Sequence, residues 1–102
     1  MSSTTGSAKN NWVGPVFRPG ELADACIEAI REDNEGKEVI VEDRGGYIRV
    51  SVDGECILRR ETVSQHLGRP CRMQEVETVL GSFAGQIDTT ENSMRFYLSK
   101  RI

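Results

Sequence analysis

The sequence predicts an α+β fold, a single domain with three helices packed on a mainly antiparallel β-sheet behind a flexible N-terminal tail. Three observations carry that reading. Val39 through Arg60, VIVEDRGGYIRVSVDGECILRR, looks like three successive strands joined by two tight turns, with Val50 and Val52 alternating with Arg49 and Ser51. Apolar residues recur at three- and four-residue steps over Leu22–Ile30 and again over Met73–Phe83, the spacing of helices. Near the C-terminus Met94, Phe96 and Leu98 alternate with Arg95 and Tyr97, the pattern of a closing strand. The order strand, helix, three strands, two helices, two strands describes helices laid on antiparallel sheet.

At 102 residues the chain is one domain, long enough to bury about two-thirds of its unfolded surface and too short for an elaborate multi-site enzyme. A hydrophobic content of 37% and a charged content of 28%, with no long apolar run, place it among soluble globular proteins with nothing to span a membrane. The N-terminus lacks an apolar segment of the signal-peptide kind, so a cytoplasmic location is expected. Cys26, Cys56 and Cys71 are odd in number and far apart, which suits neither a disulfide framework nor a zinc ribbon; they read as small core hydrophobes. A net charge of −3 disfavours nonspecific nucleic-acid binding. The charge is uneven: residues 1–43 balance at −5 and residues 44–102 at +2, a dipole able to orient a docking partner.

Residues 1–11, MSSTTGSAKNN, form the expected tail, polar and without the apolar bulk that offsets the entropy of ordering; residues 12–102 form the domain. Trp12 stands where the two meet and reads as a packing anchor, and Pro15 allows Trp12–Phe17 only as an edge strand or an irregular extended run. Pro19-Gly20 opens a helix with Leu22, Ala23, Cys26, Ile27 and Ile30 on its core face, ending near Asn34 to Gly36, where Gly36 suits a left-handed cap. Asp53-Gly54 is a hairpin signal. Thr62 is placed to cap a short helix holding Val63 and Leu67, stopped by Gly68 with Pro70 beyond. A third helix carries the stripe Met73, Val76, Leu80 and Phe83. Gly81 weakens its last turn by about 1 kcal/mol relative to alanine, so it permits a close approach or a break. A second hairpin joins Gly85–Asp88 to the final strand.

Catalytic signatures are scarce. The phosphate-loop, dinucleotide, zincin and C-x-x-C motifs are missing, and His66, the only histidine, has Gln65 and Glu61 beside it rather than a ligand set, so no metal site and no cofactor are expected. Cys71 five positions after His66 suggests a nucleophile with its base, which keeps a small Cys/His hydrolase as one alternative. No third orienting group marks it, and Cys71 reads equally as a buried connector. Glu42 and Asp43 are strand neighbours pointing to opposite faces, so an ion pair or turn contact with Arg44 suits them better than a shared substrate. The alternation of GGYIRV and MRFYL keeps a nucleic-acid-binding α/β module as the other alternative, against net acidity and the lack of an RNP-type motif.

Taken in order, VEDRGGYIRV, LGRPCRMQEVETVL, GSFAGQI and the closing RFYL resemble the small effector, coupling or regulatory proteins of bacterial multicomponent diiron monooxygenases. NNWVGPVFRPGEL and EDNEGKE extend the likeness over roughly Asn10 to Ile102, closest to the toluene-4-monooxygenase effectors. The resemblance implies a non-catalytic, cofactor-free component that binds a hydroxylase containing a diiron centre, improving coupling, rate and regiospecificity on a small aromatic substrate. A ferredoxin and an NADH reductase would complete the system. It implies no catalytic residue, no nucleic acid and no membrane. Its hydroxylase contacts would fall on Thr78, Gly81, Ser82, Phe83 and Gly85, with Asn10, Asn11 and Trp12 at the tail junction. Gly81 stands where the methane monooxygenase regulators have a serine, and Phe83 replaces a small polar residue there, so details of gating do not transfer.

Overall fold

The computed structural model describes residues 11–99, which fold as β1 (Trp12–Phe17), α1 (Glu21–Asp33), β2 (Val39–Asp43), β3 (Ile48–Asp53), β4 (Glu55–Arg59), α2 (Arg60–Leu67), α3 (Met73–Val79), β5 (Leu80–Ala84), β6 (Gln86–Thr89) and β7 (Ser93–Tyr97). The predicted α+β class holds, but the strands divide between two antiparallel sheets, one ordered β2-β3-β1-β5 and the other β4-β7-β6.

The predicted three-strand unit is cut in two at Gly54. β2 and β3 pair as a hairpin from Val39↔Val52 to Asp43↔Ile48, while β4 leaves to pair with β7. Gly54 does take a positive φ of 80°, yet its N–H donates to the Asn11 carbonyl at 2.8 Å. Asp53-Gly54 therefore turns the chain from one sheet to the other rather than closing a hairpin. β1 is an interior strand, contrary to the expectation from Pro15. Its ladder with β3 runs Trp12↔Asp53, Val13↔Val52, Val16↔Arg49 and Phe17↔Ile48, skipping Gly14 and Pro15, so the missing proline N–H interrupts nothing on that side. Gly14 is required there, because a Cβ would lie 2.2 Å from the Val50 carbonyl oxygen.

The third helix stops at Val79, and Leu80–Ala84 form the edge strand β5 against β1. Gly81, Ser82 and Phe83 are thus strand residues, not a helix end. The register shift between Val16 and Phe17 leaves Gly81 unopposed, a bulge. The predicted second hairpin is present as β6–β7, from Gln86↔Tyr97 to Thr89↔Met94.

One core joins both sheets and all three helices. Val13, Phe17, Val50 and Val52 come from the first sheet, Cys56, Leu58, Met94 and Phe96 from the second, and Cys26, Ile30, Val63 and Val76 from the helices. All three cysteines are buried in it, as expected. The end of α1 is fixed by polar side chains that periodicity did not single out. Asn34, only 5% exposed, donates from Nδ2 to the Ile30 carbonyl at 2.7 Å and to the Ile57 carbonyl at 2.8 Å, and accepts from the Ile57 N–H at 2.9 Å. Asn34, not Gly36, is the C-cap, clamping α1 to β4. Asp33 accepts from the Arg59 N–H at 2.8 Å and the Thr62 hydroxyl at 2.7 Å, so Thr62 lies within α2 and ties it to α1 instead of capping it.

Candidate functional site

Strand alternation gives the four-stranded sheet an inner face, which supplies the core, and an outer face. Paired residues share a face, so the registers Trp12↔Asp53, Val16↔Arg49, Val16↔Ser82, Ile40↔Ser51 and Glu42↔Arg49 place these side chains together on the outer one. The helices send their buried residues to the core side. Two shallow grooves cross the outer face. One, of about 460 Å³, is lined by Trp12, Ile40, Glu42, Arg49, Ser51 and Ala84; the other, of about 400 Å³, by Val16, Phe17, Arg18, Tyr47, Arg49, Gly81 and Ser82.

The two sequence-predicted groups, separated by some seventy residues, therefore reach the same face, at different points along β1: Ser82 stands opposite Val16, four residues from Trp12. Trp12 is half-buried on β1, and Ser82 is exposed on the neighbouring β5, on the same face. Gly81 lies next to Ser82 in the bulge, where a Cβ would meet only the Val16 carbonyl oxygen at 3.5 Å. Asn11 touches the same end of the sheet through Gly54, and Asn10 lies outside the described residues.

The other members of the predicted set sit differently. Phe83 points away from Ser82 and packs its ring against the buried Phe96 at 6.0 Å while remaining 41% exposed, so it stands at the seam between the sheets. Gly85 occupies that seam with φ 95°, and a Cβ there would lie 2.7 Å from Val13 Cγ1 and 2.8 Å from the Tyr97 carbonyl oxygen. Its lack of a side chain is dictated by its own domain rather than by a partner. Thr78, at the end of α3, is exposed; its hydroxyl donates to the Glu75 carbonyl at 2.6 Å and its carbonyl accepts from Arg18 at 3.4 Å.

Sequence reasoning missed Tyr47, Arg18 and Arg49, which rim the second groove. Tyr47, just after the β2–β3 turn, is 41% exposed. The available signal was the alternation itself, which puts Arg49 and Ser51 on the face opposite Val50 and Val52. Glu42, Asp43 and Arg44 behave as read: Glu42 pairs with Arg44 at 3.1 Å, and Asp43 accepts from the Gly45 N–H at 2.9 Å to hold the turn.

The hydrolase constellation does not assemble. His66 Nε2 bonds Glu32 on α1 at 2.9 Å, whereas the Cys71 thiol is directed at the Arg72 carbonyl at 3.5 Å. Burial raises the Cys71 thiol above its ordinary value, with the Glu75 carboxylate adding to the rise, so it stays protonated and is a poor nucleophile. Among the described residues no group of three or more histidine, cysteine or acidic side chains is arranged to hold a metal ion, and no helix is long and apolar enough to cross a membrane.

What the arrangement offers is an exposed sheet face with aromatic and arginine side chains on a cross-braced core, the build of a docking protein. Residues 11–97 match the MmoB/DmpM family, and the chain belongs to it. It is 42% identical over 96 residues to the effector subunit of the alkene monooxygenase system of Xanthobacter autotrophicus (strain Py2), covering 94% of this chain and 95% of that one. It is 32% identical over 83 residues to the stimulatory component DmpM of phenol 2-monooxygenase from Pseudomonas sp. (strain CF600), covering 81% and 88%. In structure it is similar to a chain of a phenol hydroxylase–regulatory protein complex, with TM-score 0.76, 25% identity and coverage of 86% of this chain and 99% of that one. The soluble methane monooxygenase regulatory protein B shares the fold, with TM-score 0.63, 23% identity and coverage of 85% and 64%. The chain is an effector, or regulatory, component of the multicomponent monooxygenase kind, not a catalytic one.

Proposed function

We propose that this chain docks on the diiron hydroxylase of an aromatic-hydrocarbon monooxygenase of the toluene type and reshapes its active site. Residues 12–102 are the docking domain and residues 1–11 a tail. The ferredoxin and NADH reductase of the same cytoplasmic system handle the electrons. The contact is made through the outer face of the four-stranded sheet, from Trp12 across to Gly81 and Ser82, with Asn11, Thr78, Phe83 and Gly85 at its borders and Asn10 contributing from the preceding sequence. One observation carries this reading: residues of the two separately predicted segments, Trp12 and Ser82, lie on the same outer face of one sheet, on neighbouring strands.

A protein without catalytic groups changes turnover only by binding one hydroxylase conformation better than another. Each tenfold shift in that equilibrium requires about 1.4 kcal/mol of differential affinity, within reach of a few well-packed side chains.

Reconstitution tests the reading. Added to hydroxylase, ferredoxin and reductase, the protein is expected to raise product formed per NADH consumed and to narrow the cresol isomers made from toluene. Ser82→Arg is expected to weaken the half-maximal dose by about tenfold, with an unchanged melting temperature. No change in coupling or regiochemistry on adding the wild-type protein refutes the function, and an unchanged dose-response for Ser82→Arg removes β5 from the contact.

A second reading, an alkene-oxidising system, is favoured by the 42% identity to the Xanthobacter effector subunit. Stimulated epoxidation of propene with no effect on toluene selects it.

A further inference from the structure

Resting on the docking role just described, we infer that the groove between Tyr47 and β5 is the anchor of the docking face, and that it receives an apolar side chain of the hydroxylase flanked by carboxylates. Its apolar lining comes from β1, with Val16 on the outer face, and Gly81 on β5 puts no side chain into it. Its rim is Tyr47, Arg18 and Arg49, all exposed. Tyrosine and arginine beside a small apolar depression is the composition that dominates binding energy in protein interfaces, because a rigid ring and a guanidinium fork bury area at low entropic cost.

The charge at the rim is weakly neutralised within the domain. Arg49 reaches Glu42 only at 4.0 Å, while Glu42 lies closer to Arg44, at 3.1 Å. Arg18 donates to a backbone carbonyl at 3.4 Å rather than to a carboxylate. On a chain of net charge −3, two arginines held in this state form a local positive site that an acidic partner complements. The undescribed ends of this chain do not supply that complement: residues 1–10 and 100–102 carry Lys9, Lys100 and Arg101 and no acidic side chain. A second copy offering the acidic side of α1 is the competing occupant, and the experiment separates it.

The test is titration of the purified hydroxylase encoded with this chain, at about 50 mM and about 250 mM salt, since screening weakens exposed ion pairs over that range. Arg18→Gln and Arg49→Gln are each expected to raise the dissociation constant about fivefold at low salt and to flatten its salt dependence. Tyr47→Ala is expected to raise it about tenfold equally at both salts, the mark of an apolar contact. Arg31→Gln, on α1 and exposed beside Glu28, is expected to leave it unchanged. Circular dichroism melts verify that the variants are folded.

Wild-type-like affinity and salt dependence in the Arg18→Gln/Arg49→Gln double variant overturns the groove while leaving the effector function standing. Failure of the wild-type protein to bind the hydroxylase overturns both. Sedimentation showing self-association that Arg49→Gln abolishes also overturns it, by assigning the groove to a second copy.

Discussion

The junction of α1 with β4 and the outer face of the four-stranded sheet use polar side chains in opposite ways. At the junction, Asn34 and Asp33 direct their hydrogen bonds inside the molecule, to Ile30, Ile57, Arg59 and Thr62, with Asn34 buried and Asp33 half-buried beside it. On the sheet face, Tyr47, Arg18 and Arg49 keep their polar ends in solvent with long or few internal contacts. The difference separates the part of the molecule that determines stability from the part left able to bind. Buried polar groups are costly when unpaired, so they are matched within the fold, whereas exposed ones lose little by waiting for a partner.

Asn34→Ala breaks the comparison hardest. It strands the Ile57 N–H and carbonyl, while the Ile30 carbonyl keeps the backbone N–H of residue 34 at 3.0 Å, so the expected loss is roughly 3 kcal/mol, a fall in melting temperature of about 10–20 °C. Hydroxylase affinity measured well below the melt is expected to stay within about twofold of wild type. A loss below about 1 kcal/mol in urea unfolding means that the clamp is not what holds this half together.

The thiols of the same half come next. Burial, chiefly, pushes the Cys26 and Cys56 thiols up to about 12 from 9.0, with Cys71 adding to the rise at Cys26. Unfolded chains release these protons near 9.0 while the folded protein holds them, so stability is full below pH 9 and falls as pH rises towards 12. The expected loss at about pH 10 is about 1–1.5 kcal/mol for each thiol. Cys26→Ala with Cys56→Ala is expected to flatten the decline between about pH 8 and about pH 10, and an unaltered slope removes the thiols as its cause.

The smallest effect separates two glycines four residues apart. Gly85→Ala forces a Cβ into Val13 and the Tyr97 carbonyl at a positive φ, with an expected cost of about 2 kcal/mol. Gly81→Ala meets ordinary packing at 3.5 Å and is expected to cost under about 0.5 kcal/mol. Equal losses in unfolding free energy would erase the distinction between seam and face.

Legibility followed the range of the signal. α1 and the β6–β7 hairpin were readable because their apolar period matches the elements that form, and Gly68 ends α2 at a φ of 77°, as its position implied. The third helix was overextended because Met73, Val76, Leu80 and Phe83 keep a helical step across the break at Val79, while Leu80 is held opposite Phe17 by pairing with β1, some sixty residues earlier. Asp53-Gly54 encodes a local turn and says nothing of which strand pairs next. Among the candidate residues, Trp12 and Ser82 were reached through resemblance, and Tyr47, Arg18 and Arg49 were passed over because nothing local makes an exposed side chain in a turn or strand stand out.

By itself the sequence determined the α+β class, the buried positions of α1, the cysteines as core residues and the likeness to monooxygenase effectors, since local periodicity and ordered motifs survive without a third dimension. Only the tertiary structure decided that β4 leaves β3 for a second sheet, that Gly81 to Phe83 run as an edge strand, and that Trp12 and Ser82 share one face. Pairing between distant strands depends on which hydrophobic faces can be buried together, a property of the whole chain that no short stretch of it contains.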